Sequence, residues 1–138
     1  MTLVIDTSVA IKWVAPEAGR DAADLLLAGD HTLEAPELLA TEAANTLWKK
    51  SVRGELSARQ AREALDVLLH GGLAWHQTSA LLPRALDLAR LSRHPVDDCV
   101  HLALAETLDG TLVTADEALL RVARARRIAA RALASFVR

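Results

Sequence analysis

Four acidic residues stand where elements of the chain end or begin: Asp6, Glu42, Asp98 and Asp116. Asp6 directly follows the apolar run Leu3-Val4-Ile5, and Asp116 follows Leu112-Val113-Thr114 by two residues. Asp98 falls in the first turn expected after His94-Pro95. Glu42 falls about two turns inside a helix expected to begin near Pro36, among the small residues Ala40, Ala43 and Ala44. If the apolar runs are parallel strands, Asp6 and Asp116 share the carboxyl edge of the sheet, where open α/β sheets bind ligands. Four carboxylates do not stay ionised at close range without a cation, because like charges raise one another's pKa. A divalent ion supplies the missing charge, and all-oxygen ligation favours Mg²⁺ or Mn²⁺ over zinc. With such an ion, chemistry on phosphate esters follows: water is activated and charge on phosphoryl oxygens is stabilised.

Each acid alone has an ordinary explanation. Asp6 and Asp116 fit helix N-caps, Asp98 fits a first-turn acid answering the helix dipole, and Glu42 fits a solvated helix position. Their joint placement is what points to a site, and that placement depends on the elements.

Short apolar runs bounded by turn residues are expected as strands at Leu3–Ile5, Thr32–Ala35, Leu73–His76 and Thr111–Thr114. Helical patterns are expected at 9–14 (stopped by Pro16), 19–29, 36–53, 57–70, 79–93, 96–108 and 118–126. Residues 128–137 are ambiguous, with room for a fifth strand. Strands that are apolar throughout and alternate with helices predict an α/β fold with a mainly parallel sheet, buried on both faces. No repeat, linker or low-complexity stretch divides the 138 residues, so one domain, 1–138, is expected.

Composition removes several classes. A single cysteine excludes a disulfide framework and a Cys₄ or Cys₂His₂ zinc site. Three tryptophans, one phenylalanine and no tyrosine argue against a stacking platform for single-stranded nucleic acid. No basic-then-apolar leader opens the chain and no long uncharged apolar stretch occurs, so a cytoplasmic protein without membrane contact is expected. The formal charge of −2 divides unevenly. Residues 117–138 hold six arginines (121, 124, 126, 127, 131 and 138) against Glu117 alone, which leaves the rest of the chain at −7. This tail is either a solvated face or a flank that meets phosphates.

Val4-Ile5-Asp6-Thr7-Ser8, Leu39-Ala40-Thr41-Glu42-Ala43-Ala44-Asn45, the segment Asp97-Asp98-Cys99-Val100-His101-Leu102-Ala103-Leu104-Ala105-Glu106, and Leu112-Val113-Thr114-Ala115-Asp116 together resemble the PIN-domain ribonucleases, and most closely the VapC toxins of type II toxin–antitoxin pairs. The resemblance runs over nearly the whole chain, in order and spacing. It implies a three-layer α/β/α sandwich with a short, mainly parallel, four- to five-stranded PIN-like sheet. It also implies Mg²⁺ (or Mn²⁺) in an acidic pocket and cleavage of RNA by metal-activated water. It further implies a homodimer and a VapB-like antitoxin partner. Carried over by position, Asp6, Glu42 and Asp98 match the core metal-binding acids, and Asp116 matches a fourth that binds directly or through water. Ser8 matches a hydroxyl that supports the first aspartate, and Thr114 matches the residue that precedes the fourth acid in the pattern. Asp97 departs from the pattern, which often has an aromatic residue there. Asp98 is preferred as the inward acid because it shares a helical stripe with Leu102 and Ala105.

The remaining signals leave alternatives open. The histidines form no ligand cluster; His94 and His101 fall near the acids in sequence, and His101 reads as a helix-face residue. Cys99 reads as a small buried thiol. Trp48 is either core or an exposed anchor in a groove that the resemblance assigns to the antitoxin. A catalytically silent RNA- or antitoxin-binding module, and a nuclease acting on DNA, remain the competing functions.

Overall fold

The structure, a computed structural model, describes residues 1–137. Five strands form one sheet: β1 (Thr2–Ile5), β2 (Thr32–Pro36), β3 (Ala74–His76), β4 (Thr111–Thr114) and β5 (Ala130–Ala132). Their order is β3-β2-β1-β4-β5 and every pairing is parallel. The fifth strand comes from the segment that sequence left ambiguous. Seven helices connect them: α1 (Thr7–Val14), α2 (Arg20–Ala28), α3 (Leu38–Val52), α4 (Ala58–His70), α5 (Thr78–Ser92), α6 (Val96–Leu108) and α7 (Glu117–Ala125). A short 3₁₀ turn, Leu133–Ser135, follows β5.

Strand order explains the layers. From β1 the chain moves outward through β2 to β3, then returns past β1 to lay down β4 and β5. Parallel crossovers are right-handed, so reversing the direction of travel moves the connecting helices to the other face. Leu3, Ile5 and Val113 accordingly pack with Val9, Leu26 and Leu39 under α1–α4. Val4 and Leu112 pack with Leu88, Leu102 and Leu119 under α5–α7. Alternate residues of β1 are thus buried on opposite faces, which is why that strand is apolar without alternation.

Local chemistry sets the ends. Ser57 caps α4 through a reciprocal pair with Gln60: Ser57 Oγ accepts from Gln60 N at 3.0 Å, and Gln60 Oε1 accepts from Ser57 N at 2.9 Å. At the end of α6 it is Asp109, at φ 50°, that takes the left-handed position. Gly110 is required for a different reason, since a Cβ there would lie 3.0 Å from the Thr2 carbonyl oxygen. Pro36 remains in β2, paired with His76, so α3 starts at Leu38 rather than Pro36. Glu42 therefore lies about one turn inside the helix, closer to the sheet edge than the sequence suggested.

Part of the arginine-rich tail turns away from the carboxyl edge. Ala129 accepts from Leu112 N and immediately precedes β5, so the turn at Arg126 and Arg127 lies at the amino edge of the sheet. Arg131 is occupied by Phe136, its guanidinium 3.9 Å from the ring centre. Arg138 lies outside the described residues. Among the described residues, no helix is long and apolar enough to cross a membrane.

Candidate active site

The strand reversal places the carboxyl ends of β1 and β4 side by side, a topological switch point. Asp6 leaves β1 there, its backbone N donating to Val113 O at 3.1 Å. It occupies the N-cap position of α1 but makes no side-chain capping bond. Its carboxylate, 5% exposed, is held instead by hydroxyls. Ser8 Oγ donates to Asp6 Oδ2 at 2.7 Å and Thr114 Oγ1 donates to the same oxygen at 2.8 Å. Each hydroxyl also accepts a backbone N–H from the β4–α7 turn, Ala115 N on Ser8 at 3.1 Å and Asp116 N on Thr114 at 3.0 Å. The two side chains therefore lock the turn that carries Asp116 to the end of β1.

Glu42 enters from α3. Its Oε1 accepts from Thr7 Oγ1 at 2.8 Å and from His101 Nε2 at 2.9 Å. This carboxylate is anchored rather than solvated. His101 is wholly buried, and its Nε2 also lies 3.6 Å from Asp6 Oδ1. Asp98 enters from the first turn of α6, its Oδ2 accepting from His94 Nε2 at 2.7 Å. Oxygens of Glu42, Asp97 and Asp98 lie within 4.8 Å of one another. Asp98 is partly buried and Asp97 exposed, so both adjacent acids reach the pocket, from its inner and outer sides. Asp116 is placed differently. It caps α7, its Oδ1 accepting from Ala118 N at 2.9 Å, and its link to Asp6 runs through Thr114. A cleft of about 340 Å³ opens beside Thr114 and Asp116, with Lys12, Leu120 and Leu133 in its walls.

The pocket concentrates carboxylates, and their neighbours' titration responds to it. Burial pushes the Asp98 carboxyl above its ordinary range; the charges of Asp6 and Asp97 add to this, while the His94 hydrogen bond opposes it. Burial disfavours a charged His101, but the Glu42 hydrogen bond and the charges of Asp6, Glu42 and Asp98 outweigh it, and its pKa is raised. Beside these acids, burial and then Asp98 and Asp97 push the Cys99 thiol up to about 11, so it stays a protonated, inert thiol.

Sequence reasoning missed three partners, Thr7, His94 and His101. The signal for the histidines was present: His94 and His101 stand at i−4 and i+3 from Asp98, and such residues share a helix face. His101 does lie on a helix face, but that face is buried against the acids.

A sequence model of the PIN domain matches residues 3–125. The chain belongs to the PIN domain family. It is 33% identical over 121 residues to Ribonuclease VapC3 of Pyrobaculum aerophilum, covering 86% of this chain and 92% of that one. It is 31% identical over 121 residues to Ribonuclease VapC1 of Mycobacterium tuberculosis, covering 84% and 86%. Its PIN fold superposes on PAE2754 from Pyrobaculum aerophilum with a TM-score of 0.75 at 22% identity, covering 98% of this chain and 94% of that one. VapBC2 from Rickettsia felis, solved bound to a DNA fragment from its promoter, gives 0.70 at 17% identity, covering 96% and 98%. These last two likenesses concern the fold.

Proposed function

We propose that this PIN domain, residues 1–138 as a single unit, is a metal-dependent endoribonuclease and the toxin of a type II toxin–antitoxin pair. The observations that carry the reading are that Asp6 and Glu42, from separate elements, both meet the buried His101, and that carboxylate oxygens of Glu42, Asp97 and Asp98 lie within 4.8 Å of one another. The donor set suits a hard divalent cation, since every free group is a carboxylate oxygen and the crowded charges favour a positive guest. Mg²⁺ or Mn²⁺ would be held by Asp6, Glu42 and Asp98, with Asp116 taking part directly or through water. When bound, the ion supplies the Lewis acid for in-line attack of water on an RNA phosphodiester and the charge that offsets the phosphoryl oxygens.

The chain's own residues do the rest. Ser8 and Thr114 hold Asp6 Oδ2 and thereby the depth of the pocket. Asp6, in a nearly closed environment, interacts more strongly with a cation than an exposed carboxylate does. The arginines at the turn into β5 are not needed to explain substrate binding at the acids: roughly 13 Å of strand separates the two sheet edges, more than the ~8 Å over which exposed charges act in physiological salt.

The relatives named VapC, and a structural neighbour that is a VapBC assembly, support a VapB-like antitoxin as partner. The surface offers a place for it. Trp48 is 59% exposed on α3 and borders a groove of about 410 Å³ with Ala44, Leu47, Ala61 and Leu65. Trp48 is therefore exposed rather than part of the core. A homodimer acting in the cytoplasm completes the reading.

The test is cleavage of RNA by purified protein after chelation, with and without added Mg²⁺ or Mn²⁺. Activity should appear only with the ion and be lost in Asp6→Asn without unfolding. Full activity in the metal-free preparation would overturn the reading, and cleavage of DNA alone would replace the substrate.

A further inference from the structure

We infer that Thr7 and His101 form a two-donor clamp on Glu42 Oε1 that reserves its other oxygen for the cation, which makes both of them positioning residues of the site. The inference rests on the metal-dependent reading above. Glu42 is the acid most in need of such a device. Asp6 has a short side chain already fixed by two hydroxyls. Glu42 has an additional side-chain torsion, so holding it in one pose costs more rotamer entropy. Thr7 reaches it from α1 at 2.8 Å and His101 from α6 at 2.9 Å, both on Oε1. Oε2 is the oxygen that neither donor occupies.

The setting of His101 shows that its imidazole is there for Nε2. Every residue of α6 from Cys99 to Ala105 is buried, and His101 is the sole ionisable side chain among them besides the Cys99 thiol. Its Nδ1 is buried without a hydrogen-bond partner among the described residues. Leaving a buried nitrogen unpaired is unfavourable, and an apolar residue in this run would avoid it. The offsetting gain is on the other side of the ring, where Nε2 bridges Glu42 from α3 and Asp6 from β1. Outer partners of metal-binding carboxylates orient them in this way, and their loss weakens metal binding 10–100-fold in general.

The experiment uses the whole chain freed of metal by chelation, with Mn²⁺ as the probe and its affinity measured by calorimetry. His101→Leu, which keeps bulk and removes the donor, should weaken Mn²⁺ binding by about 10–100-fold. His101→Gln, whose amide nitrogen reaches as far as Nε2, should keep most of the affinity. Thr7→Val removes the second donor at a partly exposed position and should weaken binding in the same direction, with Thr7→Ser restoring it; this pair decides the matter if His101→Leu does not fold. Parental affinity in both His101→Leu and Thr7→Val would overturn the clamp while leaving the metal reading intact. Equal loss in His101→Gln and His101→Leu would also overturn it, because the ring rather than the donor would then matter. A parent protein that binds no Mn²⁺ would overturn the clamp and the metal reading together.

Discussion

Replacing Asp98 by Asn should make the metal-free protein more stable and remove its response to metal. Asp98 is a partly buried carboxylate whose pKa is raised by burial, then by the charges of Asp6 and Asp97. Its oxygens come within 4.8 Å of those of Glu42 and Asp97. Two unit charges at that separation repel by about 1 kcal/mol in bulk water and about 3.5 kcal/mol at an effective dielectric constant of 20. Asp97 is exposed and belongs at the lower end; Glu42 is partly buried and lies between. An amide has the same shape and still accepts from His94, so the main loss is the charge assistance of that bond, about 1 kcal/mol. The net gain is about 1–2 kcal/mol, or a rise of roughly 3–8 °C in melting temperature for a domain of this size. Mn²⁺ at about 100 times its Kd should add about 2.7 kcal/mol to the parent and far less to the variant. Thermal melts with chelator and with Mn²⁺ should therefore rank the two proteins in opposite orders. A variant that melts below the parent without metal, or responds to Mn²⁺ as the parent does, would refute the reasoning.

The same electrostatics fixes a pH dependence. Asp98 is raised from 3.8 and His101 from 6.5, so the folded state holds both protons more tightly than the unfolded chain. The stabilisation from Asp98 protonation is lost as pH rises from 3.8 through its folded value. That from His101 is full below 6.5 and lost as pH rises through its folded value. Stabilisation by Mn²⁺ should consequently grow as pH rises through the raised pKa values of Asp98 and His101; a flat or falling increment in melting temperature would contradict this. Thr114→Val, at a position 1% exposed, removes the donor to Asp6 and the acceptor for Asp116 N. It should cost about 2–4 kcal/mol by denaturant titration, and a change below about 0.5 kcal/mol would show that Ser8 holds Asp6 alone. Trp48→Ala should leave stability within about 0.5 kcal/mol but weaken binding of the cognate antitoxin by about 2 kcal/mol or more in a calorimetric titration. Unchanged affinity would move the docking surface off the α3–α4 groove. Arg124→Glu combined with Arg127→Glu should keep the RNA cleavage rate within about twofold, since both lie toward the edge opposite the acids and are screened from them; a large loss would show that substrate wraps around to that edge.

The elements themselves were legible in the residues. Leu3-Val4-Ile5 and Thr111–Thr114 read as buried strands and are buried strands, and Pro95, Gly54 and Gly71-Gly72 mark the helix boundaries they suggested. Asp6 and Asp116 could be placed at one sheet edge as soon as a parallel sheet was inferred. What each carboxylate does there was not legible. Asp6 and Asp116 both precede helices and look alike as N-caps. Only the bonds from Ser8 and Thr114 show that Asp6 turns into the pocket while Asp116 keeps its cap. His101 shows the same limit from the other side. Its spacing from Asp98 announced a shared face, yet not that this face meets Glu42, 59 residues earlier in the chain. The basic tail read as one patch but is split by the turn into β5, which carries part of it to the far edge. Periodicity reports which side of an element is buried, because burial shapes the residue choice at each position locally. What that side is buried against depends on strand order and on the reversal at β1, and those arise from packing between segments distant in the chain. Sequence therefore determined the elements and the acids available to them; tertiary structure decided which acids meet, which histidine joins them, and which arginines are left outside.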